Sequence, residues 1–299
     1  MDNETGTAAA DGAAPTTHER LDTRRNAYRE DLADLRLAGR VASRQFVPGV
    51  ERQIGVPMVP LLSTPSPASR IDTQLLFGEP VGVFEERDGW AWVQSRVDAY
   101  VGYIRADALA PGLEMATHRV ASVGTFVYPE PDIKAPPRMH LSLNAMLSAR
   151  RSDERFVETG YGFVVARHAA PIADYARDWV EIAERLTGTP YLWGGRTRIG
   201  LDCSGLVQLA MHAAGRPCPR DSDMQRAEIG SEVMVPADLE GLARGDLVFW
   251  RGHVGIMTDG VMLLHANGFH MLTVIEPVHE ARARIERLGG GPITAIRRP

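Results

Sequence analysis

The sequence predicts an α+β domain preceded by two small β-barrels. Three observations predict it. Between residues 46 and 170, short apolar runs alternate with turn residues, as in small antiparallel barrels. From residue 171 a helical period appears, followed by a second apolar helical run that opens on a cysteine. Strand-like runs then occupy the C-terminal part, and two of them carry a histidine. A cysteine-bearing helix packed on an antiparallel sheet that bears histidines is an α+β design.

The chain has 299 residues, enough for two or three domains. Apolar residues make up 44% and charged residues 24%, the ordinary balance of a globular protein. The net charge of −5 gives no basic footprint for nucleic acid. No apolar run approaches the roughly 18 residues of a membrane span. The first ten residues lack a basic start and an apolar core, so no secretory signal is read there. Only two cysteines occur, Cys203 and Cys218, too few for a disulfide framework. These features lead us to expect a cytoplasmic protein.

Four regions follow. Residues 1–45 read as an N-terminal extension, disordered over about the first 20 residues, with a short docking helix among the charges of 21–39. Residues 46–112 carry the first barrel's runs, among them Val81–Phe84, Trp90–Val93 and Tyr100–Ile104, with a hairpin turn at Asp88-Gly89. Residues 113–170 carry a second set, broken by Pro129, Pro131, Pro136 and Pro137. From 171 to 299 the spacing of Ile172, Tyr175, Ala176, Trp179, Val180, Ala183 and Leu186 predicts an amphipathic helix closed by Gly188. A second helix runs from Leu206 to Ala214, ahead of Gly215.

Cys203 stands just before that second helix. There unpaired backbone N–H groups and the positive end of the helix dipole favour a thiolate. An adjacent imidazolium can take a thiol from about 8.5 to roughly 3.5–7.5. Asp202 and Ser204 flank the cysteine as cap or substrate contact, and Gly205 admits a close backbone. His253 is the candidate general base. His265, twelve residues on, is the candidate orienting group, since neighbouring antiparallel strands bring such a pair to one face. The chemistry needs neither metal nor cofactor, and the helix-cap setting suits a thiolate nucleophile better than zinc.

These residues carry a resemblance. Tyr191-x-Trp193-Gly194-Gly195, Asp202-Cys203-Ser204-Gly205, Arg220-Asp221-Ser222-x-x-Gln225, Gly245-Asp246 with Phe249-Trp250, Gly252-His253-Val254-Gly255-Ile256 and His265-Ala266 occur in the order found in the NlpC-type cell-wall cysteine peptidases. The match covers about residues 172–299. It implies a papain-like core and the triad Cys203, His253, His265, with Tyr191 and the Cys203 N–H receiving the oxyanion and Trp193 among the substrate-binding residues. The region ahead is similar to the SH3-like modules of the subgroup that cleaves free murein peptides. It carries Gly78-Glu79, Gly89-Trp90-x-Trp92 and Tyr100–Ile104.

That likeness implies that Glu79, Tyr100 and Asp221 hold the free amine of an N-terminal L-Ala. Ser204, Ser222 and Arg220 would hold the α-carboxylate of D-Glu. The implied partner is a small murein peptide, with no nucleic acid and no membrane. The implied reaction is hydrolysis of the γ-D-glutamyl bond to a diamino acid, in wall-peptide recycling. The rival readings are a wall-bound endopeptidase, a non-catalytic peptidoglycan-binding protein, and an acyltransferase on the same fold. A visible signal peptide would favour the first, a broken triad the second, and an apolar acyl tunnel the third.

Overall fold

A computed structural model describes residues 21–234 and 238–299. The expected disordered stretch at the start of the chain lies outside them.

Six antiparallel strands form the first β unit. In spatial order they are Val50–Gln53, Pro80–Arg87, Trp90–Ser95, Val101–Arg105, Met58–Leu62 and Ile71–Leu76. Their inward residues, among them Leu61, Leu75, Val81, Val93 and Ile104, bury one apolar core. Asp88 and Gly89 turn the central hairpin at φ of 52° and 77°. Positive φ at both positions suits the right-handed twist of the flanking strands.

The second β unit has two sheets. One holds Met139–Ser142, Gly124–Tyr128, Gly162–Val165, Phe156–Thr159 and Ala149–Ser152; the other holds Met146–Leu147, His118–Val120 and Ala169–Pro171. Phe77, from the end of the first unit, inserts into the core built by Val120, Val127, Leu141 and Val164. That shared aromatic ties the two units together.

The C-terminal unit places helices α1 (Trp179–Glu184), α2 (Cys203–Ala213), α3 (Ser222–Glu228) and α4 (Val278–Arg287) around a six-stranded antiparallel sheet. The sheet order is Ser231–Val233, Ala295–Arg298, Leu247–Trp250, His253–Met257, Met262–Asn267, Leu272–Pro277. Buried Leu206, Val207, Leu209 and Ala210 of α2 pack with Phe249, Val254, Ile256 and Leu264. The nucleophile's helix therefore lies against the strands of both histidines.

Two expected helices are corrected. The one expected from Ile172 begins only at Trp179. Ala169–Pro171 is instead a strand paired with His118–Val120, and Asp178 caps α1 by accepting from Val180 and Glu181 N–H. Residues 21–45 hold no α-helix. Leu32–Asp34 pairs in parallel with Gln45–Val47, and a short 3₁₀ turn follows where the Asp34 side chain accepts from Arg36 N–H. Local side-chain capture of backbone N–H groups competes with helix there, and Ala27 and Leu32 pack on Phe84, Trp92 and Val101 of the first unit.

Candidate active site

The nucleophile's position follows from one cap. Asp202 Oδ1 accepts from Gly205 N–H at 2.7 Å, which starts α2 at Cys203. Gly205 has to be glycine, because a Cβ there would stand 2.2 Å from the Gly195 carbonyl oxygen. The N–H groups of Val254 and Ser204 are directed at the Cys203 sulfur, so the thiol rests against the strand residue next to His253. Burial, then the Asp202 carboxylate, pushes the Cys203 thiol up to about 12. Burial, then the neighbouring His265, takes the His253 imidazole down to about 3. The resting pair is therefore thiol and neutral imidazole. The thiolate arises when the proton moves from sulfur to His253.

His253 Nε2 lies 2.8 Å from His265 Nδ1. His265 Nε2 lies 2.6 Å from Glu276 Oε1. Arg284 of α4 holds both oxygens of Glu276. Burial works against the charge on Glu276, but the bonds from His265 and Arg284 outweigh it and take the carboxyl down to about 2. An ionised Glu276 can only accept, so His265 carries its proton on Nε2 and offers Nδ1 as an acceptor. His253 must then carry its proton on Nε2, leaving the Nδ1 lone pair for the thiol. Glu276 and Arg284 thus set the tautomer of the base, and the sequence reading did not find them. The hairpin register held the signal. Leu263 pairs with Glu276 and His265 with Val274, so Glu276 sits diagonally from His265 on the same sheet face.

Tyr191 is half-buried beside the nucleophile; burial and then the charges of Cys203 and Asp202 raise its hydroxyl above the usual tyrosine range. Its O–H is thus retained as a donor. Trp193 is 65% exposed at the rim. Tyr100, of the first β unit, donates its hydroxyl to Asp221 Oδ2 at 3.0 Å. Ser222 stands half-buried at the start of α3, directly after Asp221.

Four expected substrate contacts are structural instead. Glu79 is buried, accepts from Leu76 N–H at 2.9 Å, and pairs with the fully buried Arg196 at 3.1 Å. Arg196 also donates to the Gln74 carbonyl at 2.7 Å, so this pair rivets the first β unit to the C-terminal one. Arg220 is equally buried, and it donates to Thr73 Oγ1 at 2.7 Å, Ser204 Oγ at 2.8 Å and Asp202 Oδ2 at 2.7 Å. Asp202 also accepts from Gly194 N–H at 2.8 Å. Asp202, Ser204 and Arg220 therefore form a buried brace around the nucleophile, with their polar groups spent on each other and on Thr73, Gly194 and Gly205.

Asp72 was missed. It is half-buried on strand Ile71–Leu76; burial and then the charge of Asp221 raise its carboxyl above the usual aspartate range. It also acts electrostatically on Tyr100. Asp72, Tyr100 and Asp221 thus share one acidic corner, and its side chains come from two separate units. Cys218 is buried, with Gln225 Nε2 3.4 Å from its sulfur, and burial pushes its thiol far up. It is built for packing.

A thiol capping a helix, a histidine base and a second histidine behind it, in a papain-like α+β unit, define a cysteine peptidase. The chain belongs to the NlpC/P60 family, whose model matches residues 188–284. A bacterial dipeptidyl-peptidase SH3 domain matches residues 61–109. The γ-D-glutamyl-L-lysine dipeptidyl-peptidase of Bacillus subtilis (strain 168) is 30% identical over 237 residues, 70% of this chain and 78% of that protein. Dipeptidyl-peptidase 6 of Lysinibacillus sphaericus is 26% identical over 235 residues, 70% of this chain and 85% of that protein. The crystal structure of an NlpC/P60 family protein from Bacillus cereus superposes with a TM-score of 0.69 at 19% identity, covering 83% of this chain and 99% of the other, which establishes the common fold.

Proposed function

We propose that the enzyme hydrolyses the γ-D-glutamyl bond to a diamino acid in free murein peptides and releases L-Ala-γ-D-Glu. The observation that carries this reading is the acidic corner where Tyr100 of the first β unit meets Asp221 at 3.0 Å, next in the chain to Arg220, which holds the residues on either side of Cys203. Two carboxylates and a phenol grouped together match a substrate ammonium, through charge-assisted bonds worth roughly 1.5–3 kcal/mol each. Asp72 takes the place first expected of Glu79. The relatives named for γ-D-glutamyl-L-lysine cleavage support the bond assigned.

Catalysis follows from the proton inventory. Cys203 loses its proton to His253 Nδ1 as sulfur attacks the γ-carbonyl. Tyr191 and the Cys203 N–H receive the developing oxyanion. His253 returns the proton to the leaving diamino acid nitrogen, which leaves L-Ala-γ-D-Glu as a thioester on Cys203. Water, deprotonated by His253, then attacks the thioester carbonyl; the C–S bond breaks, the dipeptide leaves as a carboxylic acid, and the proton on His253 returns to the Cys203 sulfur. His265, with Glu276 behind it, steadies the imidazolium in both halves.

We also propose a cytoplasmic, recycling role. Support comes from the free thiols of Cys203 and Cys218. Mass spectrometry of the products from L-Ala-γ-D-Glu-L-Lys and its diaminopimelate analogue tests the bond assigned. L-Ala-γ-D-Glu plus the free diamino acid is expected. Cleavage only of intact peptidoglycan would instead support a wall-bound endopeptidase.

A further inference from the structure

The segment ahead of the first β unit sends one side chain into the acidic corner. Val101 N–H donates to the Arg24 carbonyl at 2.8 Å, which sets the Arg24 backbone beside Tyr100. The Arg24 guanidinium then spans three carboxylates. It reaches Asp22 at 2.8 Å, Asp223 at 2.8 and 3.1 Å, and Asp221 Oδ2 at 2.8 Å. Asp221 Oδ2 is the same oxygen that receives the Tyr100 hydroxyl. Arg25 anchors the next position with an ion pair to Glu228 of α3.

We propose that Arg24 is a positioning residue for substrate recognition, holding the Asp221 carboxylate beside Tyr100 as the anion that receives the peptide's ammonium. The inference rests on the amine-recognition reading above.

The neighbours of Asp221 explain why it needs this partner. Asp72 approaches from the first β unit with a like charge, and Asp223 from α3 with another. Arg220 attracts it but is committed to Asp202, Ser204 and Thr73. Tyr100 supplies a hydrogen bond without charge. Arg24 is the cation that touches Asp221 from outside the C-terminal unit. Its charge does not repel the incoming ammonium, because Asp22 and Asp223 already offset it. Without Arg24, crowded carboxylates favour protonation of one of them, and Asp221 loses the bond that fixes its rotamer.

The test compares wild type with Arg24→Gln and Arg24→Lys on the free L-Ala-γ-D-Glu-L-Lys tripeptide across pH. Arg24→Gln should raise KM about tenfold at neutral pH with kcat little changed. It should also move the acid limb of kcat/KM upward by about one unit, as loss of one close opposite charge does. Arg24→Lys, which keeps the charge and loses the fork, should recover part of both. Alkylation of Cys203 by a small neutral reagent should run at the wild-type rate in Arg24→Gln, since the nucleophile is untouched. An unchanged or lowered KM in Arg24→Gln, or slowed alkylation, overturns the proposal. A wild type that cleaves free and N-acetylated tripeptide alike overturns the amine reading itself. Discrimination in the wild type with Arg24→Gln kinetically identical overturns the role of Arg24 alone.

Discussion

Glu276 Oε1 lies 2.6 Å from His265 Nε2, so the group that orients the catalytic histidine is itself oriented by a carboxylate. Glu276 Oε1 in turn receives Arg284 from α4. The relay His253–His265–Glu276–Arg284 runs away from the thiol across one hairpin and ends on a helix.

That relay predicts an order of losses. His253→Ala should be nearly inactive. His265→Ala should retain more activity, and His265→Asn more again, since asparagine still hydrogen-bonds. Glu276→Gln should lower kcat roughly 10–100-fold and leave KM near wild type, because the acidic corner is untouched. Steady-state kinetics on the tripeptide measure each step. Glu276→Gln with normal kcat would show that the tautomer needs no carboxylate.

Cys203→Ala should abolish turnover and leave the fold intact. A thiol-alkylating reagent should modify Cys203 before Cys218. Both thiols are buried and raised, but Cys203 has the His253 base beside its strand neighbour Val254, whereas Cys218 has the Gln225 amide against its sulfur. Peptide mapping after brief alkylation reads the order; prior labelling of Cys218 would contradict it.

Glu79→Ala should act on stability, not on specificity. It strands the Arg196 guanidinium, which is wholly buried, and removing one partner of a buried pair costs about 3–5 kcal/mol. Urea denaturation should show that loss, with KM of the remaining folded enzyme near wild type. A stable Glu79→Ala with a raised KM would return Glu79 to the substrate pocket.

The pH profile has a worked sign. Burial raises the Asp72 and Asp221 carboxyls above 3.8, whereas burial and then His265 hold the His253 imidazole down to about 3. Both carboxylates are ionised above their raised values and lose the ammonium site as pH falls through them. The acid limb of kcat/KM should therefore belong to the carboxylates and lie above the usual aspartate range, with no imidazole limb near 6.5. Asp72→Asn should raise KM and change this limb. A limb near 6.5 that is unaffected by Asp72→Asn would assign it to His253.

The triad was legible because its chemistry is local. Cys203 needs a cap and a glycine near it, and the two histidines sit in continuous apolar strand runs that can be read directly. Glu276 was hidden because its partner is set by hairpin register, eleven residues from His265. Glu79 misled because a glutamate at a strand start looks the same whether it faces solvent, substrate or a buried arginine; only the fold brings Arg196 to it. Asp72, seven residues earlier, escaped notice for the converse reason, since nothing in Ile71–Leu76 marks which end meets the cleft. The expected helix from Ile172 failed because its apolar spacing ran through the turn that follows the Ala169–Pro171 strand, and the true start was marked by Asp178.

The most direct test of the account compares initial rates on free and N-acetylated L-Ala-γ-D-Glu-L-Lys. Acetylation removes the ammonium and with it the charge-assisted bonds that Asp72 and Asp221 would make to it. The account predicts cleavage of the free peptide and at least a hundredfold slower cleavage of the acetylated one, on the order of two charge-assisted bonds lost. Equal rates on the two peptides would contradict it.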